Sequence, residues 1–257
     1  MKTALITGAS RGIGRAIALH LAEDGSYPLL CLTAHTNDVL LHKLADEIRD
    51  AHPTQSVLCS VGDAGDISYV VNLREKLHAA GGTLHLLINN AAISFHGLLM
   101  DQSPEEWDRV IRTDLTSVYN TCHTFMDDLI KASRKVPDPD IPSDLGRIIN
   151  ISSIWGEVGA SCEAAYSAAK GGVNALTKAL ARELALSDVP VNAIQPGVVD
   201  TEMNNNLTSE EKASLAAELP SGRFVTPDEV AKAVLGLAKM PPSVTGTILR
   251  VDGGWAG

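Results

Sequence analysis

Residues 3–14, T-A-L-I-T-G-A-S-R-G-I-G, decide how this chain folds. A short apolar run leads directly into glycines at positions 8, 12 and 14, and a helical stripe of Ile13, Ile17 and Leu21 follows. A strand, a tight turn and a helix start in this order bring backbone N–H groups and a helix N-terminus towards a pyrophosphate. Glycine-rich turns also occur without ligands, but this context favours a nucleotide site.

The rest of the chain repeats the alternation of strand and helix. Apolar runs that suit buried parallel strands recur at residues 29–32, 57–61, 84–88, 147–151, 191–194 and 247–251. Helices are expected to begin near Asp38, Asp66 and Pro104, with the last running to about Lys131, and another helix is expected over residues 164–186. Ser103 and Glu106 form a capping-box pattern around Pro104. The pattern predicts an α/β fold: one domain over residues 1–257, a doubly wound, seven-stranded parallel sheet with helices on both faces. Three prolines within residues 133–146 predict an exposed loop.

Composition excludes several classes of function. The net charge of −10 argues against a nucleic-acid partner or an anionic membrane surface. No apolar run approaches the roughly 20 residues of a membrane-spanning helix. The four cysteines lack C-x-x-C or zinc-finger spacing, which predicts no metal site and a reducing, cytoplasmic location.

Tyr166 and Lys170 are the candidate reacting pair, since residues four apart share one face of a helix. A phenol with a pKa near 10 exchanges protons poorly at neutral pH, and a neighbouring ammonium is expected to lower that pKa. Ser153, at the end of the fifth predicted strand, could hydrogen-bond a carbonyl oxygen. Together with the glycine turn, these residues predict acid–base chemistry beside a bound nucleotide.

The chain resembles the short-chain dehydrogenase/reductase family along its whole length. The resemblance rests on T-G-x-x-x-G-x-G at residues 7–14, N-N-A-A at 89–92 where the family has N-N-A-G, Ser153, Y-x-x-x-K at 166–170, and P-G at 196–197 followed by Thr201. It implies that Lys170 also binds the nicotinamide ribose and that Thr201 contacts the carboxamide. Asp114 stands where the family has a catalytic Asn that helps to hold a relay water.

The resemblance gives a set of expected site residues. The catalytic group would be Ser153, Tyr166, Lys170 and Asp114. The cofactor would contact Gly8, Ser10, Arg11, Gly12, Ile13, Gly14, Thr33, Ser60, Val61, Asn90, Ala91, Ala92, Tyr166, Lys170, Pro196, Gly197, Val199 and Thr201. Ser60 replaces an aspartate that often holds the adenine, which weakens that contact.

NADP(H) is favoured as the cofactor, while NAD(H) stays possible. An acidic residue at the end of the second strand would bind the ribose hydroxyls of NAD, but residues 29–37 contain neither Asp nor Glu. Arg11 inside the glycine turn could pair with a 2′-phosphate.

The substrate is left open between two kinds of ketone. Residues 200–224 are expected to form a lid, and Ser94, His96, Trp155 and Met203 are expected to line the pocket. The whole chain resembles 3-oxoacyl-[acyl-carrier-protein] reductases, which would make the substrate a carrier-bound or small-molecule carbonyl. Residues 151–163 and the closing G-G-W resemble instead a branch related to elongation factor P 5-aminopentanone reductases, which act on a modified lysine of a protein.

Two further expectations concern assembly and class. The family usually forms homotetramers through its fourth and fifth helices. The apolar stripes of residues 104–131 and 164–186 fit such contacts, and Gly171 and Gly172 would permit close approach; packing within one chain is the alternative explanation. A nucleotide-binding regulator without activity is the alternative from another class, and the presence of Ser153, Tyr166 and Lys170 argues against it.

Overall fold

The computed structural model describes residues 1–134, 145–204 and 208–255. Seven strands form one parallel sheet in the order β3-β2-β1-β4-β5-β6-β7. Their bounds are β1 Lys2–Ile6, β2 Leu29–Ala34, β3 Ser56–Val61, β4 Thr83–Asn89, β5 Arg147–Ile151, β6 Val191–Pro196 and β7 Ile248–Val251. Each of the seven predicted strands is present, within one to two residues of the expected bounds.

Nine α-helices are described between the strands. Their bounds are α1 Gly12–Asp24, α2 Asp38–Ala51, α3 Ile67–Ala79, α4 Pro104–Ile111, α5 Ser117–Ser133, α6 Trp155–Val158, α7 Ala164–Glu183, α8 Ser209–Glu218 and α9 Pro227–Ala238. The capping box predicted at Ser103 and Glu106 begins α4, with Pro104 in its first turn. No helix within the described ranges is long and apolar enough to cross a membrane. The three prolines of the predicted 133–146 loop lie outside the described residues.

Helices cover both faces of the sheet, as doubly wound folds require. On one face, Ile17 of α1, Leu41 of α2 and Val230 of α9 are buried in a single core. On the other face, Leu73 of α3 and Phe125 of α5 join a second core. Burial on both faces explains why the strands are apolar throughout rather than alternating.

The apolar stripe on α7 belongs to the second core. Val173 is fully buried, and Leu180 packs in the same cluster. A Cβ at Gly172 would lie 2.8 Å from the Leu115 side chain, and one at Gly171 would lie 3.3 Å from the Gly156 carbonyl oxygen. The two glycines thus permit close approach inside one chain.

A single long helix was expected from Pro104 to about Lys131, but it is interrupted. Residues 112–116 form a π-helical turn between α4 and α5, and Asp114 is fully buried within that turn. An extra residue in a turn shifts the phase of the helix, and π-turns occur often at functional sites. The π-turn therefore directs the carboxylate of Asp114 towards the interior of the molecule.

The strand order reverses between β1 and β4. β1 pairs with β2 on one side and with β4 on the other, and the chain departs in opposite directions from this point. In open α/β sheets, ligands bind in the crevice outside the carboxyl ends of the strands at such a switch point. The glycine turn follows β1 at this edge.

Candidate active site

The glycine turn is shaped by close backbone contacts that exclude side chains. Gly8 and Gly12 have positive φ angles of 65° and 53°. A Cβ at Gly8 would lie 2.8 Å from Cα of Ala91, and one at Gly14 would overlap the Gly8 carbonyl oxygen and lie 2.5 Å from Nδ2 of Asn90. Only glycine fits these places, which explains the spacing of the motif.

Asn90 and Thr7 fasten this turn to the end of β4. Nδ2 of Asn90 donates to the main-chain oxygens of Thr7 at 2.9 Å and Gly8 at 3.0 Å. In return, Oγ1 of Thr7 accepts hydrogen bonds from the backbone N–H groups of Asn90 at 2.9 Å and Ala91 at 3.0 Å. Thr7 is the first residue of the glycine motif, but the sequence did not predict it as a site residue. Its role depends on β4 lying beside β1.

Asn89, the first residue of N-N-A-A, supports the central strands. Its side chain donates to Oδ1 of Asn150 on β5 at 2.9 Å and accepts from Oγ1 of Thr121 on α5 at 2.7 Å. Asn150 in turn donates to Oγ1 of Thr177 on α7 at 2.9 Å. The buried amides are satisfied by one another, so the network holds the strands beneath the cleft in fixed register.

A cleft opens at the switch point, where a nucleotide would fit. Its walls come from the ends of β1 to β4 and from the π-turn across it: Gly8, Thr33, Ala34, His35, Gly62, Asp63, Ala64, Gly65, Ala91, Thr113 and Ser117. The predicted residues Gly8, Thr33 and Ala91 are thereby brought together. Because the cleft is floored by glycine and alanine, backbone groups can approach a pyrophosphate and adenosine closely. The residues present fit the adenosine and pyrophosphate part of a dinucleotide.

Ser60 and Val61 at the end of β3 were predicted to contact the cofactor. Ser60 and Val61 do not line this cleft, which is bounded there by the next residues along the chain. Oγ of Ser60 accepts a hydrogen bond of 3.2 Å from the Tyr69 hydroxyl, and Val61 is 39% exposed. Asp63 lines the cleft and forms an ion pair of 2.9 Å with Arg112. Residues 62–65, which follow β3, line the cleft at this end.

The rest of the predicted cofactor set surrounds the glycine turn. Ser10 is buried, Ile13 and Gly14 begin α1, and Arg11 is exposed at the mouth. A Cβ at Gly12 would lie 3.4 Å from Cγ2 of Thr201, so the segment after β6 reaches the turn. Pro196 and Gly197 end β6, Ala92 extends the segment after β4, and Val199 is buried.

Backbone pairing holds the two ends of the predicted lid together. Val199 and Val225 form an isolated parallel bridge, with Asp200 N–H donating to the Val225 carbonyl at 2.9 Å. The bridge closes an excursion over residues 200–224, which are the bounds expected for the lid. Met203 in its short 3₁₀-helix is 50% exposed, and the expected helix of the lid is present as α8. Two of the three asparagines at 204–206 lie outside the described residues.

Ser153, Tyr166 and Lys170 meet at the carboxyl end of β5. Ser153 follows the strand and is buried, and its hydroxyl lies near Tyr166 and opposes the rise in the phenol pKa described below. Nζ of Lys170 lies 5.5 Å from the centre of the Tyr166 ring and donates to the Ile151 carbonyl at 3.1 Å. The geometry unites a hydroxyl that can orient a carbonyl, a phenol that can donate a proton, and a buried cation.

Asp114 completes this group with a second charge. Its Oδ2 lies 3.5 Å from Nζ of Lys170, and its Oδ1 accepts a 2.9 Å hydrogen bond from Ile93 N–H. Burial raises the pKa of Asp114 to about 6, while Lys170 opposes the rise. The Ile93 amide and the Ile151 carbonyl were not predicted as partners, since backbone groups leave no signal in a sequence pattern.

The acidity of Tyr166 differs from the expectation. The adjacent lysine was expected to lower the phenol pKa. Instead, burial raises the pKa of Tyr166 above its usual range, and the carboxylates of Asp114 and Glu163 raise it further. The physical reason is that burial removes the phenolate from water, and the nearby carboxylate of Asp114 disfavours its negative charge further.

The predicted substrate residues lie around the same mouth. Oγ of Ser94 donates to Oε1 of Glu163 at 2.8 Å, while His96 is exposed two residues further on. Trp155 contacts Trp255 edge to face, with ring centres 4.9 Å apart. Glu163 and Trp255 were not predicted as site residues, although both lie in segments singled out for their resemblance to a protein-modifying branch.

The comparisons with known proteins agree with this fold. A family model described as short chain dehydrogenase matches residues 2–212. The 3-oxoacyl-[acyl-carrier-protein] reductase FabG of Chlamydia muridarum is 37% identical over 256 residues, covering 99% of this chain and 97% of its own. FabG of Escherichia coli K12 is 36% identical over 256 residues, covering 98% and 96%. A solved structure of a proposed gluconate dehydrogenase from Agrobacterium tumefaciens superposes with a TM-score of 0.87 at 30% identity, covering 100% of this chain and 96% of that one.

The Rossmann-type sheet, the glycine cleft and the tyrosine–lysine pair define a nicotinamide-dependent oxidoreductase that acts on an alcohol or carbonyl group. The chain belongs to the short-chain dehydrogenase family.

Proposed function

We propose that this chain reduces the ketone of a 3-oxoacyl thioester with NADPH, with Tyr166 as the proton donor. The observation that carries the proposal is the convergence of Ser153, Tyr166 and Lys170 beside the dinucleotide cleft. The names of the Chlamydia muridarum and Escherichia coli relatives, which describe reductases of 3-oxoacyl groups on a carrier protein, support this substrate.

The roles of the side chains follow from the chemistry of carbonyl reduction. A bound nicotinamide supplies the hydride. Ser153 would donate a hydrogen bond to the carbonyl oxygen and hold it beside the Tyr166 hydroxyl. As negative charge develops on that oxygen, Tyr166 would transfer its proton, which yields the alcohol and a phenolate. Lys170, held by Asp114 and the Ile151 carbonyl, would stabilise that phenolate and bind the cofactor ribose.

Two features support NADP(H) over NAD(H). The end of β2 and the following loop carry no carboxylate that could bind both ribose hydroxyls, since residues 29–37 lack Asp and Glu. Arg11 is exposed in the glycine turn, from which its guanidinium would pair with a 2′-phosphate. NAD(H) use is the alternative outcome of the cofactor measurement described in the Discussion.

A second candidate substrate is a ketone on modified elongation factor P. The Trp155–Trp255 contact favours it, because the two segments that resemble that branch, residues 151–163 and the closing G-G-W, meet at the mouth of the site. The distinction rests on this rim, since the reacting group is the same in both cases.

We also propose a homotetramer in a reducing, cytoplasmic setting. Trp107 on α4 and Tyr119 on α5 are 36% and 53% exposed, and the 3₁₀-turn Leu99–Asp101 nearby in sequence carries Met100 at 86%. Exposed apolar side chains on one stretch of chain suit a subunit interface. The four free cysteines support the reducing setting. A variant with Trp107→Glu and Tyr119→Glu should sediment as a smaller species than the wild type. If it remained a tetramer, these two residues would not form the subunit interface.

The experiment that decides the function is a parallel turnover assay. NADPH oxidation is followed with acetoacetyl-carrier protein and with elongation factor P bearing the modified ketone, for the wild type and Tyr166→Phe. Turnover of the first substrate supports the proposal, and turnover of the second alone supports the alternative. Binding of NADPH with no ketone reduced faster than by the variant would favour a nucleotide-binding regulator.

A further inference from the structure

Asp114 is an unusually enclosed carboxylate. It is fully buried in the π-turn between α4 and α5, and Oδ1 is satisfied by the Ile93 N–H at 2.9 Å. Oδ2 has no well-formed hydrogen bond to any described residue and faces Nζ of Lys170 at 3.5 Å. A buried ionised carboxylate is costly unless it is fully paired, so this group is poised between its charged and neutral forms.

The charged groups around Asp114 come from one neighbouring helix. α7 presents Lys170 and Tyr166, and Glu163 stands immediately before its first residue. The segment after β4 contributes the neutral Ile93 amide, and β5 contributes the Ile151 carbonyl that also holds Lys170. Of these, Lys170 attracts a negative charge on Tyr166, whereas Asp114 and Glu163 repel it.

We propose that Asp114 is a positioning residue whose charge sets the acidity of Tyr166, through its hold on Lys170 and its direct repulsion of the phenolate. This inference rests on the proposed role of Tyr166 as proton donor and adds a pH response to it. The ionised carboxylate pairs with Lys170 and makes the phenol a weaker acid. The neutral form releases the ammonium to act on the phenol alone.

The direction of the pH response follows from these charges. Since burial raises the pKa of Asp114 to about 6, the group is mostly ionised at neutral pH and becomes neutral in mildly acidic solution. Lowering the pH through this range therefore makes Tyr166 a stronger acid. Proton donation to a ketone should become faster, because general-acid catalysis improves with acid strength.

The test uses Asp114→Asn, which keeps the shape and an oxygen for the Ile93 N–H but turns an amide NH₂ towards Lys170. The phenolate absorbance of the full chain is measured without cofactor or substrate, over the alkaline range in which circular dichroism shows every variant folded. The chain has four tyrosines, so the same variant with Tyr166→Phe is subtracted to isolate the Tyr166 signal. Asp127→Asn, an equal change in charge at an exposed position of α5, is the matched control.

The expected result is that Tyr166 ionises about one pH unit or more lower in Asp114→Asn than in the wild type. Asp127→Asn should match the wild type. An unchanged Tyr166 ionisation, or an equal shift in the control, would overturn the inference. If Asp114→Asn fails to fold, the smaller neutral Asp114→Ser replaces it in the same measurement.

Kinetics supply the second readout and separate this inference from the proposed function. The rate of ketone reduction by the wild type should rise as the pH falls through about 6, while Asp114→Asn should lack that rise and exceed the wild type severalfold at pH above it. A flat wild-type profile would count against the inference. Because the absorbance measurement needs no substrate, a shifted Tyr166 ionisation without any ketone turnover would sink the proposed function and leave the inference standing.

Discussion

Nε of Arg11 lies 3.3 Å from Oε2 of Glu202, so the glycine turn and the start of the lid are joined by an ion pair across the mouth of the cleft. Both side chains are about half exposed or more, and such surface pairs contribute only about 0–1 kcal/mol. A phosphate dianion can therefore draw Arg11 away from Glu202 at little cost. The same residue would then serve the free protein as a lid contact and the complex as a cofactor contact.

Arg11→Ala should impair the use of NADPH far more than that of NADH. We expect the KM for NADPH to rise about tenfold or more, because hydrogen bonds to a charged group contribute about 1.5–3 kcal/mol. Steady-state kinetics with both cofactors would measure the effect. Arg15→Ala is the control, since Arg15 pairs with Glu47 on α2 at 2.7 Å. Equal losses with both cofactors would remove Arg11 from the phosphate site.

Tyr166→Phe should reduce the rate of ketone reduction by about 10²–10⁴-fold, since the only atom removed is the proton-donating oxygen. Binding of the cofactor, followed by quenching of tryptophan fluorescence, should change little. Tyr119→Phe removes the hydroxyl from an exposed tyrosine on α5 and should leave the rate unchanged. If Tyr166→Phe kept near-normal turnover, another group would have to donate the proton.

Two Gly→Ala substitutions should have different effects: one should weaken cofactor binding, and the other should stabilise the folded protein. Gly14→Ala places a methyl group against the Gly8 carbonyl and 2.5 Å from Nδ2 of Asn90, so the turn must open and cofactor affinity should be lost. Gly236→Ala, in α9, meets nothing within 4 Å and should stabilise the protein by about 0.5–1 kcal/mol. Thermal unfolding and cofactor titration would report both. Tight binding by Gly14→Ala would show that the turn is more adaptable than its contacts indicate.

The cysteines should react with an alkylating reagent in a defined order. Burial raises the pKa of Cys31 and that of Cys122 to about 12, and both thiols are enclosed. Burial also raises the pKa of Cys59, which is only partly enclosed, whereas Cys162 lies partly exposed near the substrate mouth. Because the thiolate is the reactive form, Cys162 should be labelled first, then Cys59.

Mass spectrometry of the folded protein at mildly alkaline pH would give that order. A sample unfolded in guanidinium, in which all four cysteines should react, is the reference. Early labelling of Cys31 or Cys122 would indicate local opening of the core around them.

Much of the fold could be predicted because its signals are local. Apolar runs gave the strands, and the pattern around Ser103 gave the start of α4. The π-turn at Asp114 could not be predicted, since a shift in helical phase depends on what the helix packs against and not on its own period. The same holds for the apolar stripe of α7, whose period shows that one face is buried but not whether the sheet or a second subunit buries it.

For the site, sequence alone determined which residue types stand in order along the chain: the glycines, Ser153, Tyr166 and Lys170. Spacing on a strand, a turn or a helix fixes these positions through local geometry. Only the tertiary structure decided their electrostatics. Asp114 is nearly sixty residues from Lys170 in sequence yet 3.5 Å from it in space, and burial of Tyr166 together with the Asp114 carboxylate raises the phenol pKa that the lysine was expected to lower. Charge interactions and desolvation depend on distance and enclosure, which a linear pattern does not contain.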